Sequence, residues 1–300
     1  MYKCQVCGNT ENNKPFFAKE MMFGFRDKFE YFECPNCGCV QIVEIPANLS
    51  KYYPEEYYAY GDQEKLPDPP KPINLGPPVR YWVELAGVGL DAAILDVGSG
   101  AGRMLLDLHE AGYSNLTGVD PYIKEDLNPK PGVRVLNRTL DRLEGSYDFI
   151  MLHHSYEHIP DPVGTLQNLH KLLKPNQLLL LRIPVAGSYA WKKYGAQWVQ
   201  LDPPRHLFLH TNKSIRILAE TVGFSIEKEV YDSNGFQFYG SELYQKGITL
   251  MEFFSTFIQN PEEFIFFSYD ELQEFEDRAV ILNQNKEGDQ ACFYLRKEGE

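Results

Sequence analysis

Residues 93–108, AILDVGSGAGRMLLDL, leave this chain little choice of fold. Ala93, Ile94 and Leu95 form a short apolar run that ends in Asp96 and Val97. Glycines follow at every second position, Gly98, Gly100 and Gly102, and then Met104, Leu105, Leu106 and Leu108 fall at helical spacing. The pattern predicts a buried parallel strand, a tight turn and an amphipathic helix. Without a Cβ, the turn can bend sharply and let a ligand approach the backbone. The helix start behind it offers free N–H groups and a positive dipole end.

A dinucleotide-binding turn would place its third glycine at position 103, where this chain has Arg103. G-x-G-x-G after an acidic strand residue instead resembles motif I of the class I S-adenosylmethionine (SAM) methyltransferases. The next apolar run, Leu116–Val119, ends in Asp120, about 20 residues past the glycines, where a carboxylate can accept the two hydroxyls of an adenosine ribose. The resemblance implies a SAM site made by Asp96, Gly98, Gly100, Gly102 and Asp120. It also implies Leu140 and Asp141 around the adenine, and His153, at the end of the run Tyr147–His153, beside the cofactor. The plainer alternative is a generic α/β turn, with Asp120 a loop acid ahead of Pro121.

Five of the six cysteines lie in the first forty residues. Cys4-x-x-Cys7 and Cys34-x-x-Cys37 are two knuckles 26 residues apart, each followed by a glycine, and two such pairs complete a tetrahedral thiolate shell for structural Zn²⁺. No apolar leader precedes them, which favours metal over disulfides and a cytoplasmic location. Cys39 reads as a spare thiol. Residues 1–50 hold five Lys or Arg against six Asp or Glu, and the chain carries a net charge of −13. Both disfavour a nucleic-acid partner. No apolar run reaches 18 residues, so no membrane span is expected.

Taken in order, the chain divides into a zinc ribbon (1–48), a Tyr- and Pro-rich linker (49–78) and an α/β domain (79–300). The linker packs Tyr52, Tyr53, Tyr57, Tyr58 and Tyr60 into ten residues and serves either as a strap or as a lid whose phenols line the pocket. Beyond it we expect a helix over 80–87 and strands near 93–97, 115–119, 133–137, 147–152 and 177–183. Helices are expected over 102–111 and 162–173, with weaker helical character at 122–128. Thr211 and Gly223 read as the caps of a helix over 212–222, ahead of strands at 224–231 and 291–296. The series resembles the doubly wound seven-stranded SAM-methyltransferase sheet, whose last strand is antiparallel, with 240–285 as a helical insertion.

The candidate chemistry sits on two loops. Glu157-His158 follows the fourth strand; its bland reading is a capping and hydrogen-bonding pair. After the fifth strand, WVQLDPPRHLFLHT gathers Asp202, Arg205, His206 and His210. This stretch resembles the Y-x-E-H-x-x-Y-F segment of sugar-nucleotide C-methyltransferases, with Pro203 and Arg205 standing where that segment has Tyr and Glu. The resemblance places His206 at the general base, with His158 and the linker's Tyr58 as rivals. It implies methyl transfer to a small polar acceptor, a sugar or sugar nucleotide, with Arg182, Lys192, Lys193 and Arg205 as cations for a diphosphate. The alternatives are an RNA or protein methyltransferase that docks through the ribbon, and a SAM-binding protein without turnover.

Overall fold

Ile94–Val97 (β4), Leu116–Val119 (β5) and Tyr147–His153 (β8) are apolar on both faces, and all three lie buried between helices. Such strands pair in parallel and need helices above and below. The computed structural model of the chain describes residues 2–54, 76–259 and 266–299.

The first unit holds β1 (Lys14–Lys19), β2 (Lys28–Glu33) and β3 (Val40–Ile42), joined as an antiparallel meander. A 3₁₀ turn, Leu49–Tyr52, follows. Tyr57, Tyr58, Tyr60 and the Pro-rich stretch up to residue 75 lie outside the described residues.

The α/β part opens with α1 (Arg80–Leu85), β4, α2 (Arg103–Glu110) and β5. Next come β6 (Leu127–Lys130), β7 (Val133–Leu136), β8, α3 (Pro162–Leu172), β9 (Leu173–Pro184) and α4 (Tyr189–Tyr194). It continues through β10 (Phe208–Leu209), α5 (Asn212–Val222), β11 (Phe224–Tyr231), α6 (Phe236–Gln245), α7 (Leu250–Gln259), α8 (Tyr269–Gln284) and β12 (Gln290–Lys297). The main sheet runs β11-β12-β9-β8-β4-β5-β7-β6. Seven of these strands form the expected Rossmann-like sheet, and β12 is antiparallel to β9.

One expectation needs correction. The sheet has eight strands, because 127–130 extends and pairs antiparallel with β7, and 122–128, where we expected weak helical character, forms no helix. Pro129 withholds a donor and suits only such an edge position. The strand β10, from the loop after β9, pairs with β3, so the sheet of the first unit is completed by a strand from the α/β part.

The caps follow the expected chemistry. The Thr211 hydroxyl accepts the Ser214 amide, and Gly223 ends α5 in the left-handed region. Among the described residues no helix is long and apolar enough to cross a membrane.

Candidate active site

The glycine turn lies at the carboxyl ends of β4 and β5, the ligand edge of an open α/β sheet. Gly98, Gly100 and Gly102 have φ of +77°, +54° and +85°, a region that L side chains rarely adopt. A Cβ on Gly98 would stand 2.6 Å from the Ser155 Cβ, and one on Gly102 would stand 2.6 Å from Val135 Cγ2. Asp120 steadies the cradle: its Oδ2 accepts the Gly100 amide at 2.9 Å and its Oδ1 accepts the Tyr122 amide at 2.8 Å. Each oxygen keeps a second lone pair. Asp96 is buried one strand away, and burial together with the Asp120 charge raises its carboxyl to about 7.

Leu140 and Asp141 sit in a 3₁₀ turn beyond β7, and the Thr139 hydroxyl lowers the exposed Asp141 carboxyl. In the parallel β4–β8 pair Asp96 opposes Met151, so Gly98 and His153 each lie two residues past that pair. Both His153 ring nitrogens are buried without a partner among the described residues, and the ring meets Trp82 edge-on at 4.8 Å. A glycine cradle that cannot take a Cβ, a neighbouring strand-end carboxylate and an orphaned polar ring fit SAM. When bound, that cofactor supplies an electrophilic methyl on a sulfonium.

The second loop brings histidines together. His158 and His206 meet edge-to-face with ring centroids 4.7 Å apart. The Nδ1 of His158 lies 2.9 Å from the Arg205 carbonyl and 3.2 Å from the Tyr53 hydroxyl. The Nδ1 of His206 lies 2.7 Å from the Gln200 carbonyl. Burial, reinforced by His206, lowers His158 to about 4.

Glu157 is fully buried beside them, and neither of its carboxylate oxygens has a hydrogen-bond partner among the described residues. It faces Nδ1 of His154 at 3.4 Å and Nε2 of His206 at 3.9 Å. Burial pushes its carboxyl upward, but the imidazoles of His154, His206 and His158 outweigh that and hold it at about 2. His154 itself adopts φ +49° and takes a hydrogen bond on Nε2 from Arg182 at 2.7 Å. His210 stands apart, stacked on Tyr156 and Phe208, with its Nδ1 3.8 Å from Cys39 Sγ.

The expected cations are spoken for. Arg205 is fully buried; it binds the Asp202 carboxylate, the Tyr52 carbonyl at 3.0 Å and Glu20 at 3.0 Å. Arg182 pairs with Asp232 at 2.7 Å, and Lys193 with Glu242 at 3.0 Å. Of the four, Lys192 alone lacks an ion pair among the described residues. Sequence reasoning passed over Ser155, whose hydroxyl donates to the Val97 carbonyl at 2.8 Å and covers Gly98. It also passed over Trp82, whose ring lies under the Arg182 guanidinium. Nothing in their local patterns marks either residue.

The four cysteines converge, with Cys4–Cys37 and Cys7–Cys34 sulfurs 3.6 Å apart in both pairs. A tetrahedral Zn²⁺ with thiolates at about 2.3 Å needs sulfurs about 3.8 Å apart, so the donor set is compatible with a structural zinc. Gln41 Nε2 donates to the Cys4 sulfur at 2.8 Å. Cys39 lies outside the cluster.

Residues 76–229 match the methyltransferase-domain family. The ubiquinone biosynthesis O-methyltransferase of Pseudomonas aeruginosa (strain UCBPP-PA14) is 29% identical over 152 residues, 45% of this chain and 64% of that protein. The EEF1A lysine methyltransferase 2 of Danio rerio is 49% identical over 42 residues, 14% of this chain and 18% of that protein. The chain thus spans at most 64% of the length of these relatives. Among solved structures, the cyclopropane synthase MmaA2 from Mycobacterium tuberculosis is similar at 16% identity and TM-score 0.46, over 73% of this chain and 82% of that one.

Proposed function

The chain belongs to the family of SAM-dependent methyltransferase domains, and on that premise we propose that it methylates a small polar acceptor, a sugar or sugar nucleotide, with a histidine taking the acceptor's proton. The observation that carries this reading is the placement of two loops on one sheet edge. The glycine cradle tied to Asp120 lies after β4, and the His158–His206 pair is drawn in from the loops after β8 and β9.

Methyl transfer moves positive charge off sulfur, so the protein has no large new charge to stabilise. Alignment of nucleophile, methyl carbon and sulfur supplies much of the rate. The acceptor's proton must still leave, and we assign that task to His206. The Gln200 carbonyl fixes its Nδ1 as the donor and leaves Nε2 to accept. His158 buttresses that ring, and Tyr58 remains a second candidate from the linker.

The ribbon supports a small acceptor over a docked macromolecule. It is near neutral in charge, and it is built into the α/β part through β3–β10 and through the Tyr31 hydroxyl, which donates to the His206 carbonyl at 2.9 Å. It reads as a wall of the pocket. Incubation with methyl-labelled SAM and a panel of nucleotide sugars, read by mass spectrometry, tests this function. Transfer to a sugar is expected. Labelling confined to RNA or protein substrates would replace the acceptor class and leave the family standing.

A further inference from the structure

We propose that Glu157, His158 and His206 bind one divalent transition-metal ion, separate from the four-cysteine cluster and open on one side to the acceptor. The argument begins with hydrogens. A carbonyl oxygen can only accept, so the two short contacts from Arg205 and Gln200 place the ring hydrogens of His158 and His206 on Nδ1. Each neutral ring then presents a lone pair on Nε2. Metal-bound histidines are held in this way, with the far ring nitrogen donating to a backbone carbonyl.

Beside the rings lies the Glu157 carboxylate, fully buried and without a hydrogen-bond partner among the described residues. A buried carboxylate left so bare is costly. The other groups facing it do not relieve that cost. His154 accepts from Arg182 on Nε2, so its ring hydrogen sits on Nδ1, 3.4 Å from Oε1, a long contact that leaves the other oxygen bare. Asp202, 4.0 Å from His206 Nε2, is itself an anion and is occupied by Arg205.

A cation satisfies all three donors at once. One ligand atom from each of Glu157, His158 and His206 lies within 4.8 Å of the others. An ion about 2.1 Å from each donor needs donors about 3.4 Å apart. The 3.9 Å separation of Glu157 Oε1 and His206 Nε2 closes to that with a side-chain shift of about half an ångström. Two imidazoles and one carboxylate suit Zn²⁺, Co²⁺, Fe²⁺ or Mn²⁺ better than Ca²⁺ or Mg²⁺.

Three protein ligands leave an open position, so a hydroxyl acceptor reaching it becomes more acidic. Its proton then passes to water, and the oxygen's electron pair forms the O–CH₃ bond as the C–S bond breaks, with nothing oxidised or reduced. In the ion-loaded pocket His206 is a ligand; in the ion-free pocket its Nε2 is the base assigned above. What the ion does to the acceptor rests on the methyl-transfer reading, whereas its binding does not.

The test is titration of the full-length protein, purified without chelator, with Co²⁺, followed by elemental analysis and visible absorption. We expect two metal equivalents per chain in total, the second showing weak nitrogen–oxygen ligand-field bands without thiolate charge transfer. Glu157→Gln, His158→Gln and His206→Gln should each lose the second equivalent and keep the first. Saturation of the wild type at one equivalent with thiolate bands alone would overturn the proposal, and needs no variant to fold. So would a second equivalent that survives all three substitutions. SAM calorimetry on the same preparation reports the methyltransferase reading separately.

Discussion

Arg205 donates to Glu20 across 3.0 Å with both side chains fully buried, joining the loop after β9 to the loop between β1 and β2. Glu20 also accepts the amides of Phe23 and Phe25, both at 2.8 Å, so it organises its own loop and a distant one together. Glu20→Ala takes one of two carboxylates from a buried guanidinium that Asp202 still holds, and should cost about 1–3 kcal/mol, seen as a lower urea midpoint. Glu20→Leu combined with Arg205→Met should not recover that loss, because it leaves the largely buried Asp202 carboxylate without its guanidinium.

The four-cysteine cluster should carry one thiolate-bound zinc. Cys34→Ser should release it and loosen residues 1–48, since a core that small does not hold without the ion. Turnover should fall although no cysteine touches the acceptor, because Tyr31 loses its hold on the His206 carbonyl. Hydrogen exchange should show amides in β1–β3 and 205–210 losing protection together, while those in β4 and β5 keep theirs.

Asp120→Ala should weaken SAM by about 1.5–3 kcal/mol, the worth of a charge-assisted hydrogen bond, and should free the Gly100 amide as well. Gly100→Val should weaken it further, because φ +54° strains a β-branched residue and the new side chain fills the cradle. Wild-type affinity in both variants by calorimetry would move the cofactor elsewhere.

Asp96 makes the ligand-free protein sensitive to pH. Its folded carboxyl, raised to about 7, keeps a proton that the unfolded chain releases near 4. This contribution to stability is therefore complete below pH 4 and is lost as pH rises to 7. The melting temperature of wild type relative to Asp96→Asn should fall through that window. A flat difference would mean that Asp96 is ionised throughout.

His206→Ala should lower turnover by roughly 10²–10⁴-fold, the range of one acid–base group, with SAM affinity unchanged. Equal turnover on the true acceptor would remove His206 from the reaction.

Much of this was legible beforehand because it is local. Strand runs, the glycine turn, the Thr211 and Gly223 caps and the cysteine knuckles each lie within a dozen residues. What escaped is long-range. Residues 127–130 become a strand only because β7 offers an edge, and their short mixed run shows no clear period. Arg205 looked like a phosphate cation on a loop, and nothing nearby in sequence announces Glu20, 185 residues earlier. Glu157 looked like a capping acid. Its isolation among imidazoles depends on a loop that arrives some 50 residues later.

The pairing of β3 with β10 has a consequence for how the chain is made. The first three strands leave the ribosome ahead of the α/β part, and the fourth strand and the guanidinium that neutralises Glu20 emerge about 160 residues after them, roughly 10–30 s at ordinary rates of synthesis. Until then β3 presents an open edge. The nascent ribbon must stay soluble on its own, with its first sheet waiting for the second to be nearly complete.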